Sequence, residues 1–149
     1  MLIACNKPEP EPELAGADSV QLVAAEPNYV GPKACDLLAS YDIKQITGVE
    51  YKLGETANDY RGDSQCRFVA TSDSSEVVVS LHVPGDLANY GRVPGATAVA
   101  AMGDSAVWNA DIGQLAVKHG EAVLSISLMN QIMSRKTAER LARKTLEKL

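Results

Sequence analysis

Aromatic side chains are scarce in this chain of 149 residues: they make up 5% of it, and Trp108 and Phe68 are the single examples of their kinds. The stacking platforms that hold single-stranded nucleic acid are therefore missing. Charge points the same way, because the formal net charge is -5, the sequence pI is about 5.0, and the basic residues gather mainly near the C-terminus rather than along a groove. Nucleic acid is not an expected partner. Long apolar runs are lacking too; none approaches the roughly 18 residues that a membrane-crossing helix needs. With 46% hydrophobic residues and a mean hydropathy of -0.09, the composition suits one globular core.

Catalytic signatures are also absent. Gly103-Asp104-Ser105-Ala106-Val107 fails as a nucleophile elbow at its last position, and His82 and His119 have no evident orienting partner in sequence. There is no phosphate loop, no GxGxxG after a strand and no HExxH. Asp59 and Asp63 stand in a polar stretch where neither would be desolvated, so they read as solvated charge. The expectation is a non-enzyme with no catalytic residue, no cofactor and no metal site.

Cysteine is sparse but informatively placed. Leu2-Ile3-Ala4-Cys5 has the form of a bacterial lipobox, in which a small residue precedes the cysteine that receives lipid. Only four residues precede Cys5, where a charged segment and an apolar stretch of about 7 to 15 residues should stand, so the signal is truncated. Asn6 to Glu13 alternates proline with glutamate, cannot bury anything and favours extended polyproline II. Carried to Pro32 at about 3.1 Å per residue, such a tether reaches at most about 80 Å. The expected organisation is a truncated lipobox and disordered Pro/Glu-rich tether over residues 1–33, then a single α+β domain over 34–149.

With Cys5 assigned to lipid, Cys35 and Cys66 remain as a pair, which suits an oxidising compartment. Joined, they would close a loop of about 31 residues and contribute roughly 3.5 kcal/mol; two free buried thiols are the alternative. Neither has a Cys or His neighbour at zinc spacing.

The folded region begins with a helical stretch from Cys35, broken at Ser40, which serves as a cap, and stopped by Gly48. Val49, Tyr51 and Leu53 alternate with polar residues as in a strand, and Gly54 to Gln65 reads as a loop. Inside it, Tyr60-Arg61-Gly62-Asp63 contains an Arg-Gly-Asp tripeptide that reads as a turn rather than an adhesion motif. Cys66, Phe68 and Ala70 share a face, Ser72 to Ser75 turns, and Val77, Val79, Leu81 and Val83 alternate: a hairpin, with His82 on its opposite face. Pro84 to Ala98 is an irregular crossing with a short helix near Asp86 to Tyr90, and any ligand pocket should be lined by it. Gly103-Asp104 forms a corner before the strand holding Ala106 and Trp108. A second hairpin turns at His119-Gly120, between Leu115-Val117 and Ala122-Leu128. From about Gln131 an amphipathic helix buries Ala138, Leu141, Ala142 and Leu146. Asp104, Trp108 and Tyr90 are the candidate ligand or partner contacts.

Several short stretches together resemble a family of small lipid-anchored bacterial envelope proteins of unknown function. They are Ala34-Cys35-Asp36-Leu37-Leu38, Ile46-Thr47-Gly48, Gln65-Cys66-Arg67-Phe68, Met102 to Trp108, Glu121 to Ile126 and the terminal Leu-Ala-Arg-Lys helix. The resemblance implies a Cys35 to Cys66 bridge and an antiparallel sheet flanked by helices, somewhat like the PsbP and Mog1 sandwich. It carries over no catalytic residue. The fold expectation is α+β: four or five antiparallel strands built from two hairpins, flanked by an N-terminal and a C-terminal helix. The functional expectation is a lipid-anchored envelope protein facing the periplasm or exterior, attached to the membrane through Cys5 and binding another envelope protein. The alternatives are a small-molecule-binding or enzymatic domain using the Pro84 to Ala98 loop, and a soluble cytosolic domain if Met1 is the true start.

Overall fold

A computed structural model describes residues 30–60, 62–129 and 134–149. The lipobox, Cys5 and most of the proline tether lie outside the described residues.

One antiparallel sheet organises the chain. Its strands are β1 (Glu55–Tyr60), β2 (Asp63–Val69), β3 (Glu76–His82), β4 (Ala96–Val99), β5 (Ser105–Asn109), β6 (Gln114–His119) and β7 (Ala122–Met129). They lie in the order β1-β2-β3-β7-β6-β5-β4, so the central pairing joins β3 to β7, with Val79 opposite Ile126. Four helices are described: α1 (Ala34–Leu37), α2 (Ser40–Thr47), α3 (Ala88–Gly91) and α4 (Arg135–Leu146). The architecture is thus α+β, but the sheet has seven strands where four or five were expected.

The core lies between one sheet face and α1, α2 and α4. Phe68 of β2, Leu81 of β3, Leu115 and Val117 of β6, and Leu124 and Ile126 of β7 are at most 1% exposed on that face. Period-two alternation places them there, and their large apolar side chains suit the covered face of a pleated sheet. Leu37, Ile43 and Leu141 close over them from the helices. In α4, Ser134 caps the N-terminus by accepting from the Thr137 amide, and the buried Thr145 hydroxyl donates to the Leu141 carbonyl at 2.8 Å.

The N-terminal helical stretch is two helices. Leu38 is extended, and Ala39 rather than Ser40 stands at the N-cap of α2. Each helix has an aspartate at its third position that accepts from the cap residue's amide: Asp36 from Lys33 at 3.0 Å and Asp42 from Ala39 at 3.1 Å. Two such brackets six residues apart start two short helices instead of one.

The expected strand from Val49 to Leu53 reduces to one bridge, Tyr51 to Ala70, with Leu53 82% exposed. The adjacent polar stretch, expected as loop, instead forms β1 and the start of β2. Every side chain of β1 is exposed, so it carries no burial alternation; backbone bonds to β2 hold it as an edge strand. The other edge, β4, was hidden likewise within the crossing. The turn of the β6–β7 hairpin is Gly120-Glu121, with His119 still paired to Ala122.

Cys35 and Cys66 form a disulfide, with α-carbons 4.9 Å apart. It ties α1 to the middle of β2. Beside it the Ala34 amide donates to the buried Ser64 hydroxyl at 2.8 Å.

Candidate functional site

The second face of the sheet carries no helix from the core layer. On it, strand register brings Asp63 opposite His82, His82 opposite Val123, and Val123 opposite Lys118. These four side chains share a face at one end of the sheet, although they come from β2, β3, β7 and β6. Asp63 Oδ1 and His82 Nδ1 are 2.9 Å apart. A carboxylate only accepts, so Nδ1 carries the hydrogen; Nε2 is then an acceptor in the neutral imidazole and a donor in the cation.

The crossing from β3 to β4 runs over this face, because β4 lies beyond β7, β6 and β5. Leaving His82, the chain makes a cis Val83-Pro84 peptide and passes Gly85 directly over Val123. A β-carbon on Gly85 would come within 2.7 Å of the Val123 side chain and 2.8 Å of the His82 carbonyl, so only glycine permits the approach. Gly85 is held on both sides: its amide donates to the Glu121 carbonyl and its carbonyl accepts from Lys118 Nζ, each at 2.8 Å. Asp86 Oδ1 then accepts from the Ala88 amide at 2.9 Å and opens α3. Tyr90 turns back over the sheet toward Ser125, which is 2% exposed. Asn109 holds the far end by donating to the Pro94 carbonyl.

Between crossing and sheet lies a cavity of about 360 Å³. Val123 forms its apolar floor, while Asp63, His82, Asp86, Asn89 and Tyr90 converge on it from three elements. Burial raises the Tyr90 phenol above the ordinary tyrosine range; the Ser125 hydrogen bond opposes that shift and the Asp63 charge adds to it. The phenol is consequently a neutral hydrogen-bonding group. Among the described residues, neither lysine nor arginine lines the cavity, and no group of three His, Cys, Asp or Glu is arranged to hold a metal ion.

The three candidate contacts from sequence do not converge. Tyr90 lines the cavity. Asp104 is at the corner, where Gly103 takes φ +54; the Asp104 amide donates to the Lys118 carbonyl at 2.8 Å, and Oδ2 accepts from the Gly120 amide at 2.7 Å. Trp108 is on the helix-covered face, 7% exposed and packed in the core. Asp63 and His82 were missed as partners, though the hairpin turn at Ser72 to Ser75 sets a register that pairs them.

A second concavity, about 340 Å³, lies beside the disulfide and is lined by Cys35, Leu38, Leu53, Phe68 and Lys148 among others. Of its polar lining residues Asp36, Ser40 and Lys148, Asp36 is already engaged by the Lys33 amide.

Fold and site together define a small open-sheet domain with a helical layer on one face and a strapped polar pocket on the other. Compared with protein-family models, curated proteins and solved structures, the chain matches none.

Proposed function

We propose that this protein is a lipid-anchored binding module of a bacterial cell envelope, and that the pocket beneath the Pro84 to Ala98 crossing is its recognition site. One observation carries the assignment of the site: five polar side chains from β2, β3 and the crossing converge on a single cavity with an apolar floor. That combination of a formed concavity and a few directed polar groups is how small-molecule sites are built. Two features support the location: the Leu-Ile-Ala-Cys5 stretch followed by a proline tether, and a disulfide of the kind that persists in oxidising compartments. No described helix is long and apolar enough to cross a membrane, so attachment in this reading falls to the lipid on Cys5.

The two halves have separate tests. Labelled palmitate supplied to cells producing the protein from its natural gene should enter the wild type and not Cys5→Ser; label in neither refutes the anchor. A photoreactive residue replacing Asn89 should trap a defined small molecule in intact cells, while one replacing Asn58 on β1 should not. Identical adduct patterns from both positions would refute the site.

A further inference from the structure

We propose that the pocket takes a saccharide, a neutral mono- or disaccharide whose ring hydroxyls donate to acceptors distributed around the cavity; this rests on reading that pocket as the recognition site. Charge narrows the ligand first. Asp63 and Asp86 are both in the lining, while the Lys118 ammonium is engaged by the Gly85 carbonyl and no lysine or arginine among the described residues is itself in the lining, so phosphates, nucleotides and carboxylic acids meet two carboxylates first. Size and polarity exclude an acyl chain, because the floor is little more than Val123 and Pro84 within about 360 Å³, near the low end of small-molecule sites at roughly 300 to 1,000 Å³.

The spread of acceptors separates the remaining choices. One Asp63 oxygen is engaged by His82 and one Asp86 oxygen by the Ala88 amide, which leaves one oxygen on each. The Asn89 amide oxygen adds an acceptor and its nitrogen a donor, and His82 Nε2 adds a further acceptor in the neutral imidazole or a donor in the cation. These groups come from β2, β3 and the crossing, with Asp63 and His82 in contact and Asp86 and Asn89 on the strap, so the lining offers several acceptors on separate atoms. An ammonium concentrates its donors on one atom and would leave most of them unserved. Hydroxyls arranged around a ring both donate and accept, in several directions at once. Tyr90, half-buried in the lining, brings an aromatic ring of the kind that packs on the C–H face of a sugar.

The test is a nuclear magnetic resonance titration of the full chain, following the amides of Gly85, Asn89, Tyr90 and Val123. The saccharide probes are glucose, galactose, mannose, N-acetylglucosamine, maltose, cellobiose and chitobiose; spermidine and inorganic phosphate serve as the cationic and anionic probes. At least one saccharide should shift these four amides saturably, with a Kd of about 1 mM for a single ring. Asn89→Ala, an exposed change that leaves the sheet intact, should weaken that saccharide about tenfold. Saccharides without effect while spermidine or phosphate moves the same amides would overturn the saccharide and leave the site standing. No response to any probe would overturn both. Undiminished saccharide binding by Asn89→Ala would place the sugar elsewhere and overturn the proposal.

Discussion

Reducing the Cys35–Cys66 bond should cost the domain about 3.7 kcal/mol. The two cysteines are 31 positions apart, and closing a loop of that length removes about 12 cal/mol/K from the unfolded chain, or about 3.7 kcal/mol at 25 °C. Little native packing is lost with the bond, since Cys66 is fully buried against the core and behaves there as a small apolar residue once reduced. Urea denaturation followed by fluorescence of Trp108, the chain's single tryptophan and 7% exposed, supplies the assay. With a slope of about 1.5 kcal/mol/M, the midpoint should fall by about 2.5 M when reductant is added, and the reduced chain should unfold with a steeper slope because its unfolded state exposes more surface. Cys35→Ala should reproduce the shift. Hydrogen exchange should place the change locally as well: the Ala34 amide, bonded to Ser64 beside the bridge, should lose protection before the β3–β7 ladder does. A shift below about 1 kcal/mol, with or without the steeper slope, would refute the loop-entropy reasoning.

Three further outcomes follow from the site and its supports. Gly85→Ala forces a β-carbon against Val123 and the unyielding His82 carbonyl, and should destabilise the domain by about 1–3 kcal/mol; an unchanged urea midpoint would mean that the crossing gives way freely. Tyr90 holds its proton more tightly folded than unfolded. Stability should therefore not respond to this group below the ordinary tyrosine value of about 10, and should fall as pH rises from there toward the folded value. Tyr90→Phe should remove that alkaline slope; a wild-type slope in the variant would contradict the assignment. Asp104→Ala removes the acceptor of the Gly120 amide and should cost about 1–2 kcal/mol, read as a lowered urea midpoint with faster exchange of that amide.

The elements that were legible in sequence are those whose side chains alternate between core and a second environment. Cys66, Phe68, Val77, Val79, Leu81, Leu115, Leu124 and Ile126 all face the core, as the period-two pattern requires. The edge strands were illegible for the complementary reason: β1 and β4 are held by backbone bonds and bury little, and neither composition nor periodicity records a backbone bond. The misread Val49 to Leu53 segment shows the reverse, a good alternation without a neighbour to complete a ladder beyond Tyr51.

Site residues followed the same division. Tyr90 was within reach because an irregular Gly- and Pro-rich crossing had to pass over something. Asp63 was not, since its meaning depends on a partner 19 residues away. The partner was recoverable: pairing of Ala70 and Ser75 across the turn propagates to Cys66 with Val79 and then to Asp63 with His82. Counting outward from a turn finds such a pair when motif spacing does not. Trp108 has the strand phase of Ala106, which puts both on the helix-covered face, away from the cavity that Tyr90 lines.

The position of the disulfide has a mechanical consequence. Any pull arriving along the N-terminal segment reaches Lys33 and then, two residues later, Cys35, whose sulfur is bonded into the second strand. Force is thus delivered to a sheet loaded across several hydrogen bonds at once, and the four-residue helix is spared being peeled away turn by turn. Were the domain pulled from its N-terminal side, the strapped pocket on the other face of the sheet would keep its shape.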